Sequence, residues 1–142
     1  MLSFDTNILF HALHEKSQHH LAAREFLLSH QQDTECVLAE LVLVELYNLI
    51  RNETVTGKVV SPSEGVQLII GLRSNPAWMI VENAPVMAEV WKLAGKQGFA
   101  RRRVFDVRLA LTLQHHGVSS FATTNLKDFQ NLGFQKVWNP LQ

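Results

Sequence analysis

The chain has a single cysteine, no excess of charge of either sign and no long apolar run. Its 142 residues contain 13 Lys and Arg against 13 Asp and Glu, so the formal net charge is zero with histidine neutral. Such a balance excludes a histone-like polycation that holds nucleic acid by bulk charge. Hydrophobic residues make up 46% and charged residues 18% of the sequence, which excludes intrinsic disorder and a highly charged coiled coil. Any contact with nucleic acid must therefore come from a local patch or a bound metal.

The compartment is indicated by three further absences. The lone Cys36 cannot form an internal disulfide and stands in an apolar run, so we expect a buried thiol in a reducing compartment. The N-terminus lacks the basic segment of a signal peptide and reaches an acid at Asp5. No apolar run approaches the roughly 18–20 residues that span a bilayer. We therefore expect a cytoplasmic chain without a membrane partner, and the length favours one domain over residues 1–142.

Short apolar segments alternate with longer segments of helical periodicity. The segments with strand character are Leu2–Phe4, Cys36–Leu38, Trp78–Val81, Phe121–Thr123 and Lys136–Trp138. The segments with helical spacing are Thr6–Leu13, His20–Leu28, Glu40–Arg51, Ser61–Ser74, Ala84–Lys96, Asp106–Gly117 and Asn125–Phe129. Strands separated by helices predict an α/β fold with a mainly parallel sheet that is covered on both faces. The three tryptophans, which stand in apolar contexts, are expected to pack in the core.

Acidic residues fall where the predicted strands end. In parallel sheets, ligands bind beyond the carboxyl ends of the strands. Asp5 ends the first strand, Asp106 begins a helix, and Asp128 follows the fourth strand, while Glu45 lies inside an apolar helix where an uncompensated carboxylate is costly. Each acid taken alone could instead cap a helix, face solvent or pair with an arginine. Together they would repel one another, and Mg²⁺ or Mn²⁺, which prefer oxygen ligands, would offset that repulsion.

Four segments of the chain resemble, in the same order, the motifs of PIN-domain nucleases. They are similar above all to those of VapC-type toxins from VapBC toxin–antitoxin pairs. The segments are Asp5–Leu9, Leu43–Tyr47, Phe105–Ala110 and Ala122–Phe129. This resemblance spans essentially the whole chain. It implies a PIN-like three-layer α/β/α sandwich, cleavage of RNA with Mg²⁺ or Mn²⁺, a cognate VapB-type antitoxin and a homodimer.

The same resemblance implies the roles of the site residues. Asp5, Glu45 and Asp106 correspond to the catalytic acids, which bind the metal, Glu45 either directly or through water. The residues expected to support them are Thr6, Asn7, Asn125 and Asp128. Many PIN nucleases have an aspartate where this chain has Asn125, although toxin-type members often have Asn. The amide removes one negative charge, so the sequence leaves open whether the site binds one metal or two.

One dense basic cluster lies just before Asp106. It consists of Arg101, Arg102 and Arg103, and Arg108 follows on the next helix. We expect these arginines to contact RNA phosphates at the mouth of the acidic site. The alternative is a solvated loop or a surface that pairs with carboxylates of the antitoxin.

Two other functions remain open from the residues. A PIN-like module with weak catalysis would bind RNA or protein; the presence of Asp5, Glu45 and Asp106 argues against that alternative, and the amide at Asn125 leaves it open. A phosphoaspartate phosphotransferase would also use an acid after the first strand, but it would need a second nearby Asp and a suitably placed Lys, whereas Thr6 and Asn7 follow here. No glycine-rich phosphate loop and no Gly-x-Ser-x-Gly segment is present, which argues against nucleotide triphosphatases and serine hydrolases.

Overall fold

A computed structural model describes all residues, 1–142, and its strands form one parallel sheet. The strands are β1 (Leu2–Phe4), β2 (Cys36–Ala39), β3 (Met79–Val81), β4 (Ser120–Ala122) and β5 (Lys136–Trp138). Their order across the sheet is β3-β2-β1-β4-β5, and every neighbouring pair is parallel. The predicted α/β architecture with a parallel sheet is therefore confirmed.

Eight helices connect the strands. They are α1 (Thr6–Leu13), α2 (His20–Ser29), α3 (Glu40–Ile50), α4 (Glu53–Thr56), α5 (Pro62–Arg73), α6 (Met87–Ala94), α7 (Arg103–His115) and α8 (Leu126–Phe129). The start signal at Ser61 acts as expected, because its hydroxyl accepts the Glu64 N–H at 3.2 Å and donates to the Glu64 carboxylate at 3.0 Å. None of the helices has the length and apolar character needed to cross a membrane.

The central strands lie in the core. Phe4 and Phe121 on β1 and β4 are fully buried, and the Phe4 ring packs edge-on against Trp78 with centroids 5.4 Å apart. Cys36 is 1% exposed, as predicted for a buried thiol. The expectation that every tryptophan packs in the core was wrong for Trp91, which is 61% exposed on α6.

One helix and two helix starts differ from the prediction. The short α4 was not expected; the Asn52 side chain accepts the N–H groups at its start, and Gly57 ends it with a φ of 74°. Helix α6 begins at Met87 rather than Ala84, since Ala84 precedes Pro85 and is thereby disfavoured in helical geometry. Helix α7 begins at Arg103, so Asp106 lies within its first turn and does not begin it.

The chain order creates a crevice between β1 and β4. From β1 the chain continues to β2 and β3 on one side of the sheet, and later to β4 and β5 on the other side. Ligands of open α/β sheets bind at such a reversal, beyond the carboxyl ends of the strands. The Asp5 N–H donates to the Ala122 carbonyl at 2.8 Å, which joins the ends of both strands there.

Candidate acidic site

Asp5 is fixed at the end of β1 by three hydrogen bonds. One carboxylate oxygen, Oδ1, accepts the Thr6 N–H at 2.8 Å and so caps α1. The other, Oδ2, accepts the Thr123 hydroxyl at 2.6 Å and the Asn7 side-chain amide at 3.1 Å. The residue is only 6% exposed. Its carboxylate is therefore held in one orientation.

The supporting side chains link three segments of the chain. The Thr6 hydroxyl donates to Glu45 Oε2 at 3.1 Å, which connects α1 to α3. Asn7 Oδ1 accepts the Thr124 N–H at 3.2 Å, and Thr123 Oγ1 accepts the Asn125 N–H at 2.9 Å. The loop after β4 is thus tied to the start of α1, and Thr6 and Asn7 lie beside Asp5.

A cleft of about 770 Å³ brings most of the predicted site residues together. Among its lining residues are Asp5, Thr6, Asn7, Glu45, Asp106 and Asn125. Glu45 is exposed to this cleft, so the cost of burial that the apolar surroundings suggested does not arise. Asp128 is exposed and does not line the cleft.

The acids of the cleft oppose each other's ionisation. Burial raises the pKa of Asp5 from 3.8 to about 6, against the lowering effect of the bonds from Thr123 and Thr6. The pKa of Asp106 also rises to about 6, first through burial and then through the charges of Asp128, Asp5 and Glu45. The nearest compensation for Asp106 is the positive charge of Arg103, which lowers its pKa.

No basic side chain forms an ion pair with these carboxylates. The three ion pairs of the structure join Met1 to Glu35, His30 to Asp33 and Arg73 to Glu40, all away from the cleft. The cleft thus presents several carboxylate oxygens and the carbonyl of Asn125, and the arginines that line it form no ion pair with these acids. Oxygen donors of this kind suit hard divalent cations such as Mg²⁺ and Mn²⁺.

The predicted arginines lie in different places. Arg102 and Arg108 line the cleft, Arg101 is exposed beside it, and Arg103 lines a neighbouring cavity of about 350 Å³. The Nε atom of Arg108 is buried without a hydrogen-bond partner. The four arginines therefore do not form one block, and two of them face the acids.

Among the residues of the site that sequence reasoning did not predict, Thr123, Val44 and Phe105 matter most for its chemistry. Thr123 was assigned to a strand, although its position at a strand end was the signal for its role. Val44 and Phe105 line the cleft while 61% and 62% exposed, and nothing in their apolar character indicated it.

A second group of possible metal ligands lies near the amino ends of the central strands, opposite the acidic cleft. His30, Asp33 and Cys36 have side-chain ligand atoms within 4.8 Å of one another. Cys36 is paired with Leu2 at the amino end of β1, whereas Asp5 follows the carboxyl end. Burial raises the pKa of the Cys36 thiol to about 12, so it is protonated at neutral pH. This group is separate from the acidic cleft.

Comparison with known proteins agrees with the fold. The family model described as the PIN domain matches residues 3–135. Ribonuclease VapC24 of Mycobacterium tuberculosis is 48% identical over 141 residues, which are 99% of this chain and 97% of that protein.

Two solved structures have the same fold. One is the crystal structure of Mycobacterium tuberculosis VapC20, described as a sarcin-ricin loop cleaving toxin. It has a TM-score of 0.70 at 13% sequence identity, and the match covers 94% of this chain and 96% of the VapC20 chain. The other is the crystal structure of FitAcB from Neisseria gonorrhoeae. It has a TM-score of 0.64 at 20% sequence identity, and the match covers 99% of this chain and 98% of the FitAcB chain. The chain therefore belongs to the PIN domain family and, within it, to the VapC group.

Proposed function

We propose that this chain, as one nuclease domain over residues 1–142, is a metal-dependent endoribonuclease and the toxin of a type II toxin–antitoxin pair. The observation that carries the proposal is the meeting of Asp5, Glu45 and Asp106 in one cleft, from three distant segments of the chain. The 48% identity to a ribonuclease supports RNA as the substrate. Its antitoxin is of the VapB type, and the chain is a homodimer that acts in the cytoplasm, as membership of the VapC group supports.

The residues of the cleft fit a divalent cation. Asp5 and Asp106 have raised pKa values and no ion-pair partner, so their charges are only partly compensated within the protein. Both would hold Mg²⁺ or Mn²⁺ directly, and Glu45 directly or through water. A bound ion of this kind lowers the pKa of water and polarises a phosphate. Asn125 adds a neutral oxygen to the cleft, which favours one firmly held cation over two.

The protein's own groups orient the reaction. Thr123, Thr6 and Asn7 hold the Asp5 carboxylate in place by their hydrogen bonds, and Thr6 also fixes Glu45. Arg102 and Arg108 line the same cleft and bind phosphates of the RNA, with Arg101 and Arg103 beside them. Asp128 stays outside the cleft and raises the pKa of Asp106 through its charge.

Water, rather than an aspartate, is the nucleophile in this proposal. Both oxygens of Asp5 accept hydrogen bonds and the residue is nearly buried, which disfavours attack by its carboxylate on phosphorus. No lysine lines the cleft, and a phosphoaspartate enzyme would need one. No acid-labile phosphoprotein should form during turnover.

The test compares Asp5→Asn, Glu45→Gln and Asp106→Asn with the native chain. Each variant is expected to lose at least about 100-fold in metal-dependent cleavage of a single-stranded RNA, the range that metal and positioning contributions span. Glu89→Gln is the matched control, because Glu89 is an exposed acid on α6 outside the cleft. Thermal unfolding of each variant reports whether it is folded.

Full activity in any two of the three variants would contradict the assignment. RNA binding without cleavage by the native chain, with either Mg²⁺ or Mn²⁺, would favour the binding module instead.

A further inference from the structure

An exposed aromatic ring lies beside the acidic cluster, which is formed by Asp5, Glu45 and Asp106. Phe105 is 62% exposed, lines the cleft, and directly precedes Asp106 in the first turn of α7. On helix α3, Val44 is 61% exposed, lines the same cleft, and directly precedes Glu45. Single exposed apolar residues are common on protein surfaces. Here, however, two of the acids in the cleft each have an exposed apolar neighbour that enters the same cleft.

The Phe105 ring also has a cation against it. The guanidinium carbon of Arg108, one turn further along α7, lies over the ring at 5.8 Å from its centroid. The Arg108 Nε atom is buried and has no hydrogen-bond partner, so the part of this side chain next to Nε is packed against the protein and not solvated. Since the Phe105 ring stays largely exposed, the part of it that Arg108 does not cover is accessible to a ligand.

This arrangement fits one class of ligand. A flat apolar ring with a cation behind it stacks on a nucleobase, and stacking of this kind tolerates any base. Within a duplex, base faces are already stacked on their neighbours, so a protein ring can reach only an unpaired base. The cleft of about 770 Å³ is within the range that small organic ligands occupy, and it leaves room for a nucleotide beside the acids.

We propose that Phe105, supported by Arg108 and with Val44 in the same cleft, forms a stacking subsite for an unpaired nucleobase next to the phosphate at the acidic cluster. The subsite rests on the proposed nuclease function and adds to it a structural requirement on the substrate. It selects RNA by the absence of pairing at that nucleotide and not by base identity. Arg108 has a double role there, since it backs the ring and contributes positive charge to the cleft.

The experiment measures RNA binding and RNA cleavage separately. Fluorescence anisotropy in Mg²⁺, with Asp5→Asn added to every protein to prevent cleavage, follows binding of a labelled twelve-nucleotide single strand and of the blunt duplex with the same sequence. A gel assay follows cleavage of the single strand by the proteins that retain Asp5. The variants are Phe105→Leu, which keeps an apolar side chain but removes the ring, and Phe105→Trp, which keeps a ring. Trp91→Ala is the control, because Trp91 is an aromatic residue of matching exposure, 61%, outside the cleft.

Phe105→Leu is expected to weaken single-strand binding about 5- to 150-fold, which corresponds to the 1–3 kcal/mol that one stacked base contributes. Its affinity for the duplex should stay within about twofold, and kcat/KM for cleavage should fall with the affinity for the single strand. Phe105→Trp should restore both values, and Trp91→Ala should change neither. Thermal unfolding of all variants shows that the differences come from folded protein.

Separate outcomes overturn the subsite and the nuclease function. If the native chain cleaves RNA and Phe105→Leu binds and cleaves it equally well, the subsite is wrong and the nuclease stands. If the native chain binds single strands without cleaving them, the nuclease fails, and the loss of binding in Phe105→Leu still decides on the subsite. Unchanged RNA binding together with weaker binding of an antitoxin would assign the ring to a protein interface and overturn the proposal, as would equal losses for single strand and duplex.

Discussion

Replacement of Asp5 by Asn is expected to stabilise the metal-free protein at neutral pH while it removes activity. Asp5 is 6% exposed, and burial raises its pKa to about 6. At pH 7.5 the carboxylate is therefore charged in a place that disfavours the charge. Asn has the same shape without the charge, and its Oδ1 can still accept the Thr6 N–H that caps α1.

The size of the effect follows from two opposing contributions. A pKa that changes from 3.8 to about 6 on folding lowers the free energy of unfolding by about 3 kcal/mol once the group is ionised in both states. In the variant, a side-chain NH₂ group replaces Oδ2 and faces the Thr123 hydroxyl and the Asn7 amide. The hydroxyl can turn to accept, but the amide cannot, which costs about 1–2 kcal/mol. The net gain is about 1–2 kcal/mol, or roughly 3–7 °C in Tm for a chain of this size.

The contribution of Asp5 to the stability of the native chain depends on pH. Below pH 3.8 the carboxyl is protonated in both states, and the stability linked to it is fully present. As the pH rises towards 6, the unfolded carboxyl ionises before the folded one, so native Asp5 loses this stability. The advantage of Asp5→Asn should therefore be full at pH 7.5 and turn into a small deficit at pH 4, where little but the cost of the mismatched amide remains.

Thermal unfolding in EDTA at both pH values measures this difference. Asp33→Asn serves as a control of opposite sign, because the hydrogen bond from His30 lowers the pKa of Asp33 and its carboxylate stabilises the fold at neutral pH. A Tm of Asp5→Asn below that of the native chain at pH 7.5, or an equal difference at both pH values, would refute the reasoning. Saturating Mn²⁺ should raise the Tm of the native chain more than that of Asp5→Asn, because the variant has lost a ligand.

Two other changes have defined outcomes. Thr123→Val removes the hydroxyl that donates to Asp5, so stability should fall by about 1–2 kcal/mol and the pKa of Asp5 should rise further, which moves the acidic limb of the pH–rate profile to higher pH. A pH–rate profile like that of the native chain would count against this role. Replacement of both Arg102 and Arg108 by Gln should reduce the slope of log affinity against log salt by about 1.4, or 0.7 for each contact with single-stranded RNA. Arg24→Gln, at an exposed position on α2, should leave that slope unchanged, and the same slope in all proteins would show that the cleft arginines do not bind phosphate.

The sheet and the place of the site could be predicted because both follow from strong local signals. Asp5 directly follows a strand and is followed by residues that start a helix, so strand end, helix cap and acid coincide at one position. Parallel strands bring such ends to one edge, and this also predicts that Asn125 approaches Asp5. The meeting of Glu45 with Asp5 did not follow from spacing alone; it depends on how α3 packs against α1, and it was indicated by the resemblance to the family.

Exposure within apolar helices could not be predicted from the sequence. Helix α3 has apolar residues around most of its circumference, so periodicity does not show that Val44 faces the cleft while Leu43 and Leu46 are buried. Phe105 and Trp91 pose the same problem on α7 and α6. In each case the exposed side is decided by which neighbouring element covers the helix, and this information is spread over distant parts of the chain.

Asp5 shows why such a costly residue can be retained. Its hydrogen-bond donors lower its pKa, but burial and the charge of Glu45 still raise it to about 6, so the metal-free fold is less stable at neutral pH than it would be with an amide. A ligand that binds only the folded chain adds about 2.7 kcal/mol of stability when it is present at 100 times its Kd. This is close to the cost of ionising Asp5. A cation shared by Asp5 and Asp106 would also relieve their mutual repulsion, so the arrangement that weakens the metal-free fold is the one that favours metal binding.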